Sequence, residues 1–170
     1  MVSRDDILSV LRTIDDPEMA ISIVDLGLVE RVQDADGHVT IDILPTFVGC
    51  HALPVIESEI RRKLAAIPGV SSVQVQICYS PPWNVDRITP AGRATLRKHG
   101  IAVPESADPT IETRESCPWC GSLDIRQESP FGPTRCRTIW YCEACHNPFE
   151  RLKRVALGDL MELSLGRLRH

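Results

Sequence analysis

A chain of 170 residues, 43% hydrophobic and 25% charged, can bury one ordinary core, or a small core plus a stapled module. No apolar run is long enough to span a bilayer and no charged-then-apolar leader stands at residues 1–11, so a cytoplasmic protein without a membrane partner is expected. A net charge of −4 makes the chain as a whole a poor polyanion binder.

Ser3, with Asp6 three residues on, resembles a capping box, and Ile7, Leu8, Val10, Leu11 and Ile14 follow at helical spacing. Asp16-Pro17 is expected to end that helix, because the residue before a proline is pushed out of the α region. Residues 28–32 read as a strand. The turn Asp34-Ala35-Asp36-Gly37 leads into a second strand, where Val39, Ile41 and Ile43 alternate with Thr40 and Asp42. A helix follows, with Pro54 in its first turn and Leu53, Ile56, Ile60, Leu64 and Ile67 along one stripe. Pro68-Gly69 breaks it. In a third strand Val73, Val75 and Ile77 alternate with Gln74, Gln76 and Cys78. After the rigid Ser80-Pro81-Pro82-Trp83, a third helix runs from Thr89-Pro90 to Gly100. The order α-β-β-α-β-α predicts an α+β fold over residues 1–103, a three-stranded sheet with helices on one face. Residues 104–116 are polar and poor in apolar surface, and read as a linker.

Five of the seven cysteines fall between Cys117 and Cys145. In a cytosolic setting this points to metal or thiol chemistry rather than to disulfides. Cys117-Pro-Trp-Cys120 and Cys142-Glu-Ala-Cys145 each present two sulfurs from one tight turn. Short strands fit at Ile125–Glu128, Arg137–Tyr141 and Phe149–Leu152. Residues 117–155 therefore read as a zinc ribbon, in which bound Zn2+ supplies folding free energy that a small core cannot. Four thiolates also suit an iron–sulfur cluster, and spacing does not decide between the two. Cys142-x-x-Cys145-His146 fits covalent haem attachment too, but that requires export and leaves the first pair unexplained. His146 more simply takes a position that wants positive φ, which histidine tolerates better than bulky residues. Cys117-Pro-Trp-Cys120 alone matches a dithiol redox motif without its usual βαβ setting. Cys136 is left over, either a structural thiol beneath Phe131 and Trp140 or a spare ligand.

Seven Lys/Arg against six Asp/Glu between residues 111 and 155 give no nucleic-acid footprint, and protein docking is the expected role of the ribbon. Residues 156–170, with Leu157, Leu160, Met161, Leu165 and Leu168 but also Gly158 and Gly166, read either as a short helix that covers the ribbon or supports a homo-oligomer, or as a frayed tail.

Cys50 follows Gly49 at the entrance of the helix that Pro54 starts. The helix dipole and free N–H groups there predict an exposed thiol of lowered pKa. His51 beside it reads as solvent-facing, as a second ligand or as a cationic neighbour. A Cys-His hydrolase would need an Asn or Asp partner that cannot be placed. A thiolate near carboxylates suits transient metal binding equally well.

Asp16-Pro17-Glu18, then Ile23-Val24-Asp25-Leu26-Gly27-Leu28-Val29, then Thr46-x-x-x-Cys50, resemble the metal–sulfur cluster biosynthesis domain. This is the small α/β domain of SufT proteins and of the cytosolic iron–sulfur targeting machinery, and the likeness covers about residues 3–103. Ser80-Pro81-Pro82-Trp83 and a ribbon with Phe131-Gly132-Pro133-Thr134-x-Cys136 carry it to about residue 154, where the whole resembles the D subunits of phenylacetyl-CoA 1,2-epoxidase systems. The resemblance implies a non-enzymatic accessory factor of phenylacetate breakdown that helps assemble or repair an iron or iron–sulfur centre in an oxygenase or reductase subunit. It also implies Cys50 as the functional thiol, Asp16, Glu18 and Asp25 as the acidic loops, and Cys117, Cys120, Cys142 and Cys145 as ligands of a structural zinc. Transient iron, or an iron–sulfur cluster, is the implied cargo. Two other readings stay open: a purely structural docking subunit, and a thiol enzyme built on Cys50. No dinucleotide fingerprint, Walker loop or paired Glu-x-x-His stands in the chain, so oxygenation itself is not expected of it.

Overall fold

The computed structural model describes residues 2–108, 110–111 and 115–154, and its first element is helix α1 (Arg4–Leu11). The Ser3 hydroxyl accepts the Asp6 N–H at 3.0 Å as an N-cap, and Ile7 and Leu11 turn inward. The helix stops at Leu11, well before the proline expected to end it. Asp16-Pro17 instead opens a turn between Asp15–Asp16 (β1) and Ile21–Ser22 (β2), which pair antiparallel. The Asp16 side chain makes that turn, accepting the N–H groups of Glu18 at 2.8 Å and Met19 at 3.2 Å.

Val29–Ala35 (β3) and His38–Ile43 (β4) form the expected hairpin. Its turn places Asp36 at φ +53° and Gly37 at φ +86°, and Asp34 accepts the Gly37 N–H at 2.8 Å. A Cβ at Gly37 would stand 2.4 Å from the Gly69 carbonyl oxygen, so only glycine fits there. Helix α2 (Leu53–Leu64) buries Leu53, Ile56, Ile60 and Leu64 of the stripe read from the sequence, while Ile67, the fifth, lies beyond the helix end and is partly buried. It carries the chain across to Ser72–Ile77 (β5), which lies parallel to β4 in a sheet ordered β3-β4-β5. Ile41 and Ile43 in the central strand are wholly buried; truncating either would cost about 2–5 kcal/mol. Trp83 is 2% exposed, and its indole N–H donates to the Leu26 carbonyl at 2.9 Å. Helix α3 (Pro90–Lys98) starts at an N-cap, Thr89, whose hydroxyl accepts the Gly92 N–H at 3.0 Å.

The second sheet is ordered β6-β9-β8-β7, built from Ile101–Ala102 (β6), Ile125–Ser129 (β7), Arg137–Cys142 (β8) and Pro148–Leu152 (β9). The last three match the ribbon strands expected from sequence to within a residue or two. The first was not expected: β6 runs parallel to β9, with Ile101 opposite Glu150. The ribbon thus takes an edge strand from the segment that precedes residues 104–116, among whose described residues there is no helix or strand. Leu152 and Cys136, both ribbon residues, are buried in the same apolar core as the first sheet. The helix expected in residues 156–170 lies outside the described residues. Among the described residues, no helix is long and apolar enough to cross a membrane.

Candidate functional site

Two thiol-bearing places stand out. The first is the pair of ribbon knuckles. Each is the same tight turn: the Gly121 N–H donates to the Cys117 carbonyl at 2.9 Å, and the His146 N–H to the Cys142 carbonyl at 2.9 Å. Gly121 lies at φ +79° and His146 at φ +59°, the left-handed position anticipated for that histidine. The turns bring the sulfur of Cys117 within 3.7 Å of that of Cys145, and the sulfur of Cys120 within 3.6 Å of that of Cys142. All four sulfurs lie within 4.8 Å of one another. A tetrahedral zinc with bonds of about 2.3 Å needs sulfurs about 3.8 Å apart, so the cage fits the metal. Crowding pushes the Cys120 and Cys145 thiols in opposite directions. Against the pull of the Ser122 N–H, burial and the neighbouring sulfurs push Cys120 up to about 12. In spite of burial, hydrogen bonds from Asn147 and the other sulfurs draw Cys145 down to about 6. A bound metal would replace these shared protons. Beneath the cage, Cys117 and Cys142 pack with Ala102 and Phe149, and Trp140 stacks on Phe149 with ring centroids 6.5 Å apart.

The second place is a cavity of about 210 Å³ between the two sheets' modules. Glu18, Thr46, Cys50 and His51 line it from one side, Arg135 and Cys136 from the other. The Arg135 guanidinium stands 5.8 Å over the Phe47 ring and closes one edge. Asp16 sits behind the turn that carries Glu18. It is 2% exposed, and burial pushes its carboxyl up from the ordinary value against the pull of the Glu18 N–H.

Cys50 is neither fully exposed nor a low-pKa thiol, contrary to expectation. It is half-buried, three residues before α2 begins. Burial pushes the thiol up; the Ala52 N–H opposes this, while Asp16, Glu18 and Cys136 add to it. The helix entrance does favour a thiolate, but desolvation and two carboxylates outweigh it.

Asp16 and Glu18 act on the Cys50 thiol through their charges, whereas Asp25 is engaged elsewhere. Asp25 accepts the Thr89 hydroxyl at 2.7 Å and, through its carbonyl, the Thr89 N–H at 2.9 Å, fastening the start of α3. Cys136 takes the place in the cavity that sequence reading missed. Phe131, expected to cover it, is 77% exposed. The signal was present in Phe131-Gly132-Pro133-Thr134-x-Cys136, a turn-forming run ahead of a thiol that the four-cysteine cage does not need.

Residues 4–77 match the family model of iron–sulfur cluster assembly proteins, and residues 103–153 match that of the PaaD zinc beta ribbon domain. The chain is 33% identical to the D subunit of the "Putative 1,2-phenylacetyl-CoA epoxidase" of Escherichia coli (strain K12), over 88% of this chain and 92% of that one. It is 35% identical to the Fe-S protein maturation auxiliary factor YitW of Bacillus subtilis (strain 168), over 55% of this chain and 92% of the relative. A crystal structure of a DUF59 domain of unknown function from Bacillus anthracis superposes with a TM-score of 0.52 at 29% identity, covering 54% of this chain and 89% of that one.

Proposed function

This chain belongs to the family of the phenylacetyl-CoA epoxidase D subunits, in which an iron–sulfur cluster assembly domain is joined to a zinc ribbon, and on that premise we propose that it is an accessory maturation factor rather than an enzyme. It presents iron, or an iron–sulfur cluster, from Cys50 to an oxygenase or reductase subunit of a phenylacetyl-CoA epoxidase system. Asp16 and Glu18 form the acidic side of that site. Asp25 acts on it only through the packing of α3. Cys117, Cys120, Cys142 and Cys145 hold a structural zinc that shapes the docking module.

One observation carries this reading: the Cys50 thiol and the Glu18 carboxylate of the assembly domain line one cavity, with the buried Asp16 close enough to act on Cys50 through its charge, at the face where the ribbon adjoins it. Thiolate and carboxylate together bind iron, and a site with few fixed donors can release it to a better one. The family model of iron–sulfur cluster assembly proteins matches residues 4–77, the part of the chain that carries Cys50, Asp16 and Glu18.

The test is co-expression of the partner subunits with wild-type chain, Cys50→Ala or Cys50→Ser. The partners are expected to accumulate normally in all three, but with less iron and reduced ring epoxidation beside either variant. Full iron content and full activity beside both variants would leave the chain as a structural docking subunit.

A further inference from the structure

Cys136 is buried at 6% exposure, yet its surroundings are not those of an inert core cysteine. Its sulfur lies 3.2 Å from the Thr134 hydroxyl, and Thr46 of the other module lines the same cavity. Hydroxyl donors of this kind stabilise a sulfur that carries negative charge. The backbone is also pinned: the Lys153 N–H donates to the Cys136 carbonyl at 2.9 Å, and the Gly132 N–H closes the preceding turn on the Arg137 carbonyl at 2.9 Å. A Cβ at Gly132 would stand 2.9 Å from that same backbone, so the turn has little room to shift.

We infer that Cys136 is the second thiol of the Cys50 site, and that the cavity holds a thiophilic divalent cation between one sulfur from the assembly domain and one from the ribbon. The inference rests on the maturation reading and deepens it, since it names the donor set. Both thiols line the same cavity, with Glu18 and His51 at its wall. Burial holds both thiols above the ordinary value; at Cys50 the negative charges of Asp16, Glu18 and Cys136 add to this, while at Cys136 the charge of Arg137 opposes it and that of Asp16 adds to it. A cation relieves that repulsion. Uptake forms two metal–sulfur bonds and releases both thiol protons to solvent, with no change of oxidation state.

Among the described residues, the four-cysteine cage is the only set of three or more donors already within coordinating reach of one another. The cavity is accordingly a half-site. Its remaining coordination positions belong to water or to donors of the client, and this makes the cation transferable. The ribbon then does more than dock, because it supplies one of the two sulfurs.

The test uses the full chain with its zinc in place, titrated anaerobically with Co2+ and followed by thiolate-to-cobalt absorption while zinc per chain is counted. The wild type is expected to take one Co2+ beyond its zinc. Cys136→Ser and Cys136→Ala should each weaken that uptake at least about tenfold and cut the thiolate absorption, with zinc still at one per chain. Retained zinc and an unchanged circular dichroism spectrum show that the variants fold. Should both misfold, Thr134→Val keeps both thiols and should still weaken uptake by removing the hydroxyl 3.2 Å from the sulfur. Wild-type Co2+ affinity in both Cys136 variants, with uptake lost in Cys50→Ser, would overturn the inference and leave the maturation reading standing. No second Co2+ in the wild type would overturn it as well, and the iron content of the partner subunits would then judge the maturation reading by itself.

Discussion

At Cys50 two effects oppose each other. A helix entrance favours negative charge by about 0.3–1 kcal/mol, whereas burial of a thiol can shift its pKa by up to about 3–5 units in the other direction. Burial is the larger, and Asp16 and Glu18 reinforce it. Iodoacetamide labelling read by peptide mass spectrometry should therefore be slow at pH 7 and quicken only as the pH passes the ordinary thiol value of about 8.5. Fast labelling at pH 6 would mean a stabilised thiolate after all. Asp16 obeys the same physics. Its carboxyl is raised in the fold, so the folded chain keeps that proton to higher pH than the unfolded chain does. Stability is then lost as the pH rises through these two values. Asp16→Asn retains a side-chain oxygen for the Glu18 and Met19 N–H groups and removes the charge. Its melting temperature should equal or exceed that of the wild type at pH 7, with the gap closing towards pH 4; a large loss at pH 7 would show that the carboxylate itself holds the turn. Position next to a helix made Cys50 visible in the sequence. Burial and neighbours did not show, since both come from segments remote along the chain.

The longer elements were legible because their packing has a period. Val39, Ile41 and Ile43 alternate, Leu53, Ile56, Ile60 and Leu64 recur at helical spacing, and both patterns are buried as written. β1, β2 and β6 have two residues each, too short for any period, and each exists only through its partner strand. The end of α3 belongs to the same class of feature. Gly100 lies at φ +74°, and a Cβ there would meet the Trp119 ring at 2.1 Å. That ring is half exposed and held by its N–H bond to the Pro148 carbonyl at 3.1 Å, so making room for a Cβ means breaking that bond. Gly69 also lies at positive φ, +94°, but a Cβ there makes only an ordinary contact at 3.4 Å. In urea unfolding, Gly100→Ala should cost about 1–3 kcal/mol more than Gly69→Ala, the usual penalty for overpacking. Equal costs would mean that backbone conformation, and not the contact with Trp119, governs the site.

Across the whole molecule, the sequence suggested two modules on a linker, and several contacts now bear on how far they fold separately. β6 belongs to the ribbon sheet but directly follows α3, Leu152 is wholly buried in the main core, and Arg97 donates to the Cys117 carbonyl at 3.0 Å. With a zinc held by the four cysteines as proposed, its removal should withdraw Leu152 and β6 from their places. Burying one leucine is worth about 2 kcal/mol, and the first module should lose about that much when zinc is chelated. Trp83 can report it, because its indole lies in the main core, bonded to Leu26. With Trp119 and Trp140 replaced by phenylalanine, Trp83 fluorescence follows only the first module. Its urea midpoint is expected to fall on chelation and to recover with added Zn2+. An unmoved midpoint would mean that the assembly domain stands alone, and that the ribbon adjoins the Cys50 cavity without supporting the fold that forms it.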